Sequence, residues 1–324
     1  MSLKSLVVLS CLVPLLAAGG RDGNAAHTST ARMPARLADT LSMHVRQLTR
    51  DAIWEQVGAV QVRFDTYHPQ GFAKVGDHLF LSSVEILEPT RRFDPSRDGV
   101  DRSAGRGRGH LFKMNLDGEL VAHIEIGEGD IYHPGGIDFD GTSVWVPVAE
   151  YRPHSRTIVY RVDPQTMEAT EAFRFADHLG GIVHNIDDGT LHAVSWGSRT
   201  FFTWPIDVVL DRSRSEVPPD PVRSPNPAHY VDYQDCQYVG DGEALCTGVS
   251  RISGPEHAVA LGGMELIDLL EGRPLHQVPV PLWTEAGVPM TQNPAAFEIS
   301  ENGLRAFFLP EDNDGRLFVY DASY

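Results

Sequence analysis

Cysteine is scarce in this sequence, and the short motifs of several common enzyme classes are missing. Only three cysteines occur among 324 residues, and no pair has the CxxC spacing of a metal or redox site. HExxH and GxSxG are also absent, so nothing supports a zincin or a serine α/β-hydrolase. The sequence has no Asn-x-Ser/Thr acceptor for N-glycosylation. Any active chemistry must therefore come from side chains that the fold brings together from distant positions.

Basic residues are in short supply as well. There are 27 lysines and arginines against 44 aspartates and glutamates, which gives a formal net charge of −17. This charge argues against a nucleic-acid backbone or an anionic membrane surface as the main partner. The length and the hydrophobic share of 42% allow a large core, which excludes intrinsic disorder. The 30 glycines and 22 prolines favour many short strands over long helices.

Long apolar runs are limited to the N-terminus. Lys4 precedes the run Leu6–Leu16, which is followed by small residues. The run is shorter than the ~20 residues of a membrane span and ends in residues that a signal peptidase can cleave. The pattern predicts a signal peptide over residues 1–26 and a secreted or periplasmic protein without stable membrane insertion. An uncleaved anchor, or a lipoprotein attached through Cys11, is the alternative.

The two remaining cysteines lie close together in the sequence. Cys236 and Cys246 flank the turn-forming residues Gly240-Asp241-Gly242. In an oxidising compartment, cysteines on two paired strands can form a disulfide. The alternative is a pair of small buried residues.

An internal repeat is the main feature of the sequence. Tyr67–Phe72 and Tyr132–Ile137 are near copies, and each precedes a turn and a β-rich run. Weaker copies are centred on Ile182, Tyr238 and Phe297, so the repeat recurs at steps of 65, 45, 56 and 59 residues. Units of this size with several short strands are typical of β-propeller blades. The sequence therefore predicts an all-β fold, a five-bladed β-propeller.

The second repeat shows the expected strands of one blade most clearly. Its predicted strands are Ile137–Asp140, Val144–Glu150, Thr157–Val162 and Ala169–Phe175. The last blade, which contains Arg316–Tyr320, lacks a fourth strand, and Val57–Phe64 can supply it from the N-terminal side. Such closure removes an exposed sheet edge. We therefore expect one propeller over residues 57–324, a monomer, preceded by an extension at 27–56 that includes a helix over Leu37–Ile53.

Part of the first repeat resembles a known family. Gln70-Gly71-Phe72, Leu79–Ser83 and Gly109–Leu116 resemble the five-bladed secreted glutaminyl cyclotransferases, and this resemblance implies their architecture. That family has an acidic residue before a Ser-Ser or Ser-Thr pair, where this chain has Leu81. The chain also looks like an uncharacterised family of secreted β-propellers, a resemblance that implies no reaction.

Alignment of the five repeats predicts the residues of one channel mouth. The second strands of the five repeats can be aligned at one equivalent position. The residue five positions after it is, in repeat order, Glu85, Glu150, Gly197, Arg251 and Glu311. The inner strands begin with His68, His133, Gln234 and Asn293, and the third repeat offers His178 or His184. The start of a strand and the end of its antiparallel partner lie at the same edge, so these side chains should share one face.

The predicted cluster suggests acid/base or metal chemistry. Glu85, Glu150 and Glu311 with His68 and His133 are the candidate catalytic residues. His68, His133, His184 and Glu150 are candidate ligands for one divalent metal ion, either calcium or a zinc-like ion. The alternative is that these side chains cap strand ends and bind neighbouring backbone.

Arginines gather in loops over the same predicted face. The long loop Ile86–Gly109 carries six arginines against four acidic residues. Arg251 and Arg199 could orient a small anionic substrate, because guanidinium groups bind carboxylate and phosphate with paired donors. Trp196, Gln234 and Asn293 complete the predicted substrate-binding set. A flexible, solvated loop is the alternative for the arginine-rich segment.

Two functions from different classes follow from these features. The first is a secreted enzyme, hydrolase- or lyase-like, that acts on a small anionic substrate in an axial Glu/His/Arg pocket. The second is a non-catalytic propeller that binds a ligand or a protein on the same face. A deep pocket with coupled polar groups favours the enzyme, and a shallow face with those groups locked between blades favours the binding protein.

Overall fold

The computed structural model describes residues 39–97, 99–211, 220–254, 258–301 and 303–324. These residues form five antiparallel sheets that follow one another along the chain, which confirms the predicted five-bladed β-propeller. The predicted signal peptide, including Cys11, lies outside the described residues. No helix in the described part is long and apolar enough to cross a membrane.

The strands are numbered in chain order. A strand β1 (Ile53–Gln61) precedes blade one. Blade one contains β2 (His68–Val75), β3 (His78–Glu88), the two-stranded ribbon β4 (Arg92–Arg97) and β5 (Val100–Arg102), then β6 (Arg106–Asn115) and β7 (Leu120–Ile126). Blade two contains β8 (Ile131–Pro134), β9 (Asp138–Phe139), β10 (Val144–Glu150), β11 (Thr157–Val162) and β12 (Ala169–Phe175).

The remaining three blades follow the same order. Blade three contains β13 (Leu179–Asn185), β14 (Thr190–Ser195), β15 (Thr200–Pro205) and β16 (Val222–Pro225). Blade four contains β17 (Asp232–Gly240), β18 (Glu243–Ser253), β19 (Ala258–Asp268) and β20 (Arg273–Pro279). Blade five contains β21 (Ala295–Ser300), β22 (Gly303–Phe308) and β23 (Arg316–Ser323). A short helix α1 (Leu41–Val45) precedes β1, and a second helix α2 (Ile206–Leu210) and 3-10 turns at Trp196–Ser198 and Met290–Gln292 lie between strands.

An N-terminal strand completes the last blade. β1 pairs antiparallel with β23, with Ile53 opposite Ser323 and Gln61 opposite Arg316. The predicted closure is therefore present, although the strand begins four residues before the predicted Val57 and ends before Phe64. The pairing covers the outer edge of β23, so the ring has no open seam.

Blade two agrees with prediction except at its inner strand. β10, β11 and β12 have the predicted bounds, but the inner strand is divided into β8 and β9. Gly135 and Gly136 separate the two parts, and a Cβ on Gly135 would collide with the carbonyl oxygen of Gly180 in blade three. Blades two and three therefore approach at the backbone, which interrupts the regular strand.

Apolar side chains fill the spaces between neighbouring blades. One cluster joins Phe80 and Leu111 of blade one to Val146 and Ile158 of blade two, all with 0% exposure. All seven residues of β10 are buried. Strands covered on both faces have nearly continuous apolar sequences, which explains why β10 lacks the alternation of a surface strand.

The N-terminal helix is shorter than predicted. Of the predicted helix Leu37–Ile53, residues 37 and 38 lie outside the described residues; in the rest, helix α1 covers Leu41–Val45 and Thr40 caps its first turn. Val45 and Leu48 are buried in a cluster with residues of blades four and five. Thr40 also donates a hydrogen bond to Asp241, in the turn between β17 and β18. The helix thus covers the end of blade four away from the start of β17.

Buried carboxylates tie the inner strands together near the axis. Asp235 accepts hydrogen bonds from the backbone N–H groups of Phe72 at 2.6 Å and Ile137 at 3.1 Å. Asp138 accepts one from Tyr238 at 3.2 Å. Burial raises the pKa of Asp138 to about 7 and that of Asp235 well above its usual value. These side chains connect blades one, two and four below the cavity.

A disulfide reinforces blade four. Cys236 on β17 is bonded to Cys246 on β18, and the two residues lie directly opposite each other in the strand register. Both are buried, at 5% and 2% exposure. Of the two alternatives left open by the sequence, the structure has the disulfide.

Candidate active site

The face at which the inner strands begin contains an axial cavity of about 440 Å³. The residues that line it come from all five repeats: His68 and Gln70, His133 and Tyr151, His178 and Trp196, Gln234 and Arg251, and Gln292. Five of the sequence-predicted site residues are therefore brought together, namely His68, His133, Trp196, Gln234 and Arg251. Of the two alternatives in the third repeat, His178 rather than His184 lines the cavity. A cavity of this size suits a small organic ligand.

One wall of the cavity consists of contacting aromatic rings. His133 stacks on Tyr151, with ring centroids 4.1 Å apart and planes 20° apart. Tyr151 lies 5.8 Å from Trp196, and His178 meets Trp196 edge-on at 4.7 Å. Contacts of this kind stabilise one arrangement of the rings by about 0.5–1.5 kcal/mol each. We call His133, Tyr151, His178 and Trp196 the aromatic wall.

His133 is buried in the aromatic wall without a partner. The residue is only 6% exposed, and neither ring nitrogen has a hydrogen-bond partner among the described residues. Burial lowers the pKa of His133 well below its usual value, and His178 and His68 lower it further. The ring is therefore neutral at pH 7. Leaving a buried polar group unpaired costs ~1–3 kcal/mol, and such groups often mark functional sites.

The part of the lining that comes from blades four and five is polar and carries a positive charge. Arg251 is exposed, and its Nη2 donates to Gln292 Oε1 at 2.8 Å. Within the described ranges Arg251 has no carboxylate at ion-pair distance. The carboxylate of Asp232, also in the lining, is paired with Arg199 at 2.9 Å. An anion that entered the cavity would therefore meet an uncompensated guanidinium group.

His68 connects the cavity to polar residues of blade five. Its Nδ1 lies 2.8 Å from Asp312 Oδ1, and Asn293 Nδ2 donates to the same oxygen at 3.1 Å. Burial acts to raise the pKa of Asp312, but the hydrogen bonds from His68 and Asn293 and the charge of His68 outweigh it and lower the pKa. Because an ionised carboxylate can only accept, Nδ1 donates in this bond, and a neutral ring would then have Nε2 as its acceptor.

A second cavity of about 430 Å³ adjoins the first. It is lined by residues that include Tyr67, His68, Glu85 and Asp312, so the His68 ring borders both cavities. Glu85 thus faces this second cavity rather than the axial one. The predicted grouping of His68 with Glu85 is present, but His133 lies in the other cavity.

The three predicted glutamates are held in ion pairs with arginine. Glu85 lies 3.4 Å from Arg108, and Glu311 lies 2.8 Å from Arg316. The side chain of Glu150 is 1% exposed and contacts Arg152 at 2.5 Å and Arg156 at 2.6 Å. None of the three lines the axial cavity. These ion pairs agree with the alternative given in the sequence analysis, in which the glutamates stabilise strand ends rather than take part in catalysis.

The other predicted residues also lie outside the axial cavity. His184 Nδ1 is 2.8 Å from Asp140 Oδ2, away from His133. Asn293 is buried behind His68, and Arg199 bonds the carbonyl of Ala228 in addition to Asp232. Within the described part of the chain, no group of three or more His, Cys, Asp or Glu side chains is placed to hold a metal ion. The four candidate ligands His68, His133, His184 and Glu150 therefore do not form a metal site within the described residues.

The arginine-rich segment is mostly strand rather than loop. β3 and β6 extend into Ile86–Gly109, and the ribbon β4–β5 joins them. Its arginines are largely neutralised, because Arg106 pairs with Glu88 at 2.9 Å and Arg102 pairs with Asp101 at 2.8 Å. The Arg102 guanidinium also lies 5.1 Å from the centre of the Trp196 ring. The ribbon therefore reaches from blade one to the aromatic wall in blade three.

Sequence reasoning missed Tyr151 and Asp312 as site residues. Tyr151 directly follows Glu150 at the end of a second strand, so the repeat alignment stopped one residue short. Asp312 stands in the sequence Asp312-Asn313-Asp314-Gly315, whose composition is that of a turn, and Asn313 has a positive φ of 59° there. The signal for Asp312 was its position directly after Glu311, at the predicted channel mouth.

Comparison with solved structures gives likenesses of low identity. The tail fibre of Staphylococcus aureus phage P68 has a TM-score of 0.48 at 8% identity, over 86% of this chain and 54% of that chain. An α-L-arabinofuranosidase from Podospora anserina, in complex with cellotriose, has a TM-score of 0.48 at 9% identity, over 86% and 98%. A luciferin-regenerating enzyme has a TM-score of 0.45 at 11% identity, over 84% and 95%. Nothing about activity follows from similarities this low. The chain matches only about half the length of the phage protein.

Sequence comparisons identify a family. No curated protein matches the chain at a significant level. The expected likeness to glutaminyl cyclotransferases is not supported, and Leu81, at the position of that family's acidic residue, is fully buried in the core. Residues 30–324 match one family model, described as a family of unknown function (DUF6454). The chain therefore belongs to the DUF6454 family.

Proposed function

We propose that this protein is a hydrolase-like propeller enzyme that acts on a small anionic molecule in the axial cavity. The observation that carries the proposal is the His68–Asp312 pair, with 2.8 Å between Nδ1 and Oδ1. A histidine oriented by a carboxylate, with its second nitrogen available, is the arrangement that general-base catalysis uses. Asn293 holds the carboxylate in turn, so the pair is fixed by the fold.

In the proposed hydrolysis, His68 carries the proton. Nε2 removes a proton from a water molecule, and the water oxygen forms a bond with the electrophilic carbon of the substrate. The bond between that carbon and the leaving group then breaks, and the imidazolium returns its proton to the leaving group. Asp312 remains ionised and stabilises the imidazolium. A lyase would use the same base to remove a proton from carbon while a double bond forms and the leaving group departs.

Arg251 is the proposed anion-binding residue. Its guanidinium group is exposed on the polar wall, and Gln292 holds it at 2.8 Å. Charge-assisted hydrogen bonds from arginine are roughly twice as strong as neutral ones. The substrate would therefore be bound by a carboxylate or similar group on this wall, with its reacting carbon towards His68.

A substrate screen with matched variants tests the proposal. Esters, lactones and amides that carry a carboxylate would be assayed with the wild type, His68→Gln and Asp312→Asn. We expect His68→Gln to lower kcat/KM by about 100-fold or more for a substrate that is turned over. His78→Gln, the same change at the other end of the β2–β3 hairpin, should leave turnover unchanged. Full activity in His68→Gln would contradict the proposed mechanism.

A non-catalytic binding protein is the second candidate. The observation in its favour is that Glu85, Glu150 and Glu311 are all occupied by arginine partners. If the screen gives no turnover while carboxylates bind equally well to the wild type and His68→Gln, the binding function is the better one.

We also propose that the protein is secreted. The disulfide between Cys236 and Cys246 supports an oxidising compartment, which agrees with the apolar N-terminal run. Determination of the mature N-terminus from fractionated cells tests this proposal. The proposal would be contradicted if the chain were found only in the cytoplasm, at full length and with Cys236 and Cys246 as free thiols.

A further inference from the structure

We infer that the ligand of the axial cavity is an aromatic carboxylic acid whose ring bears an uncharged hydrogen-bonding group. This inference rests on the proposed function of the cavity and specifies its substrate class. The carboxylate would bind Arg251, the ring would lie against the aromatic wall, and the uncharged polar group would bond to His133.

The aromatic wall supports a flat ligand. Tyr151 and Trp196 present ring surface to a cavity that is polar on its other side. Trp196 is held from two directions, by the edge contact with His178 at 4.7 Å and by the Arg102 guanidinium at 5.1 Å. A side chain fixed in this way loses little freedom when a ring packs on it.

His133 supports an uncharged polar group on the ring. Its neutral imidazole offers one N–H donor and one acceptor, and neither is used by the described residues. Because both nitrogens are buried, a ligand hydroxyl or amide group would pair with one of them only after it displaces the side chains that cover it. A charged group would lose its hydration against a wall of neutral rings, which disfavours a second anion at this end.

A sugar acid is the main competing ligand. Its hydroxyl groups could bind polar side chains of the lining such as Gln70, Ser195 and Gln234, but it has no aromatic ring to stack on Tyr151 and Trp196. Asp232, the carboxylate in the lining, is already paired with Arg199 at 2.9 Å. A ligand with one charged and one neutral end would use both the Arg251–Gln292 pair and the aromatic wall.

Binding measurements with chosen probes test the inference. The probes are the three hydroxybenzoate isomers, benzoate, cyclohexanecarboxylate and glucuronate, measured by titration calorimetry with the purified full-length protein. We expect at least one hydroxybenzoate to bind about tenfold more tightly than cyclohexanecarboxylate. Trp196→Leu and His133→Phe should each weaken that binding by about tenfold, and His133→Phe should leave the affinity for benzoate nearly unchanged.

A matched control separates the wall from general effects. Trp283 is 44% exposed and does not line the cavity, so Trp283→Leu should leave every affinity unchanged. Equal binding of cyclohexanecarboxylate or tighter binding of glucuronate would overturn the aromatic assignment. Equal hydroxybenzoate binding to the wild type and Trp196→Leu would overturn it as well.

Failure of the inference can be distinguished from failure of the proposed function. If carboxylates bind to the wild type but not to Arg251→Gln, and show no preference for aromatic rings, the anion site is supported and only the ring assignment is wrong. If no probe binds with dependence on Arg251, the proposed anion-binding function is wrong, and the inference fails with it.

Discussion

At the scale of single residues, the structure separates charges that face the cavity from charges that hold the fold. The repeat alignment found the positions of Glu85, Glu150 and Glu311 but could not reveal whether their carboxylates were free. The partners of Glu150 lie two and six residues further on, and spacing alone does not determine which way they point. His68 and His133 were predictable because they begin inner strands, which meet at one mouth of any closed ring.

Glu150 is expected to support stability rather than catalysis. Glu150→Gln removes a buried carboxylate from between Arg152 and Arg156. Both arginines can still reach water, since their side chains are 21% and 65% exposed, so the expected loss in unfolding free energy is about 2–3 kcal/mol. Urea denaturation measures this loss.

Glu311→Gln is the matched control for that prediction. The Glu311 side chain is 21% exposed and its partner Arg316 is 36% exposed, so the loss should be about 1 kcal/mol or less. Equal losses for the two variants, or a selective loss of turnover in Glu150→Gln, would show that the assigned role of Glu150 is wrong.

At the scale of strands and turns, the sequence was informative where a strand has clear turn residues at its ends. In blade two, Asp140-Gly141 precedes β10 and Asp163-Pro164 lies between β11 and β12, and the predicted bounds of all three strands were correct. The inner strand was harder to predict, because Gly135 and Gly136 are placed by contacts with blades that are distant in sequence. The ribbon β4–β5 was also missed, since its arginines and glycines have the composition of a loop.

The disulfide between β17 and β18 allows a prediction at this scale. Replacing both Cys236 and Cys246 with alanine should lower the unfolding free energy by about 2–3 kcal/mol, because a short closed loop is released in the unfolded chain. Guanidinium denaturation compares the variant with the oxidised wild type. Wild-type protein denatured with a reductant should match the variant, and a wild type that is insensitive to reductant in denaturant would contradict the prediction.

At the scale of the whole molecule, repeat number and closure were predictable because five copies imply one ring. The position of the cavity could be predicted from the sequence, but the set of side chains that line it could not. Its aromatic wall depends on Tyr151, which the repeat alignment did not include, and on His178, which the alignment could not separate from His184. The proposed ligand chemistry therefore required the three-dimensional arrangement.

Buried histidines should make the stability of the whole fold depend on pH. Burial lowers the pKa of His192 to about 4, and the residue is 5% exposed between two threonine hydroxyls. The unfolded chain takes up this proton near pH 6.5, so the contribution of His192 to stability is lost as the pH falls from 6.5 towards 4. Between pH 7.5 and 5 the loss is about 2 kcal/mol.

The comparison of wild type with His192→Gln isolates this contribution. Asp138, with a pKa of about 7, acts in the opposite direction, because its contribution is lost as the pH rises from 3.8 through 7. The total pH dependence is thus a difference of opposing contributions, whereas His192→Gln changes one of them. Denaturation at pH 7.5 and pH 5 should show a smaller drop in the variant, and an equal drop would argue against the assignment.

Closure by β1 has a consequence for how the protein can come apart. In an open array of repeats, the terminal units have only one neighbour and fray first. Here the first described strand lies in the last blade, paired along its length from Ile53 to Gln61 with β23. Every blade therefore has two neighbours, and the ring offers no end at which fraying can begin. Separation of any blade must disrupt two interfaces at once, which joins the five repeats into one cooperative unit.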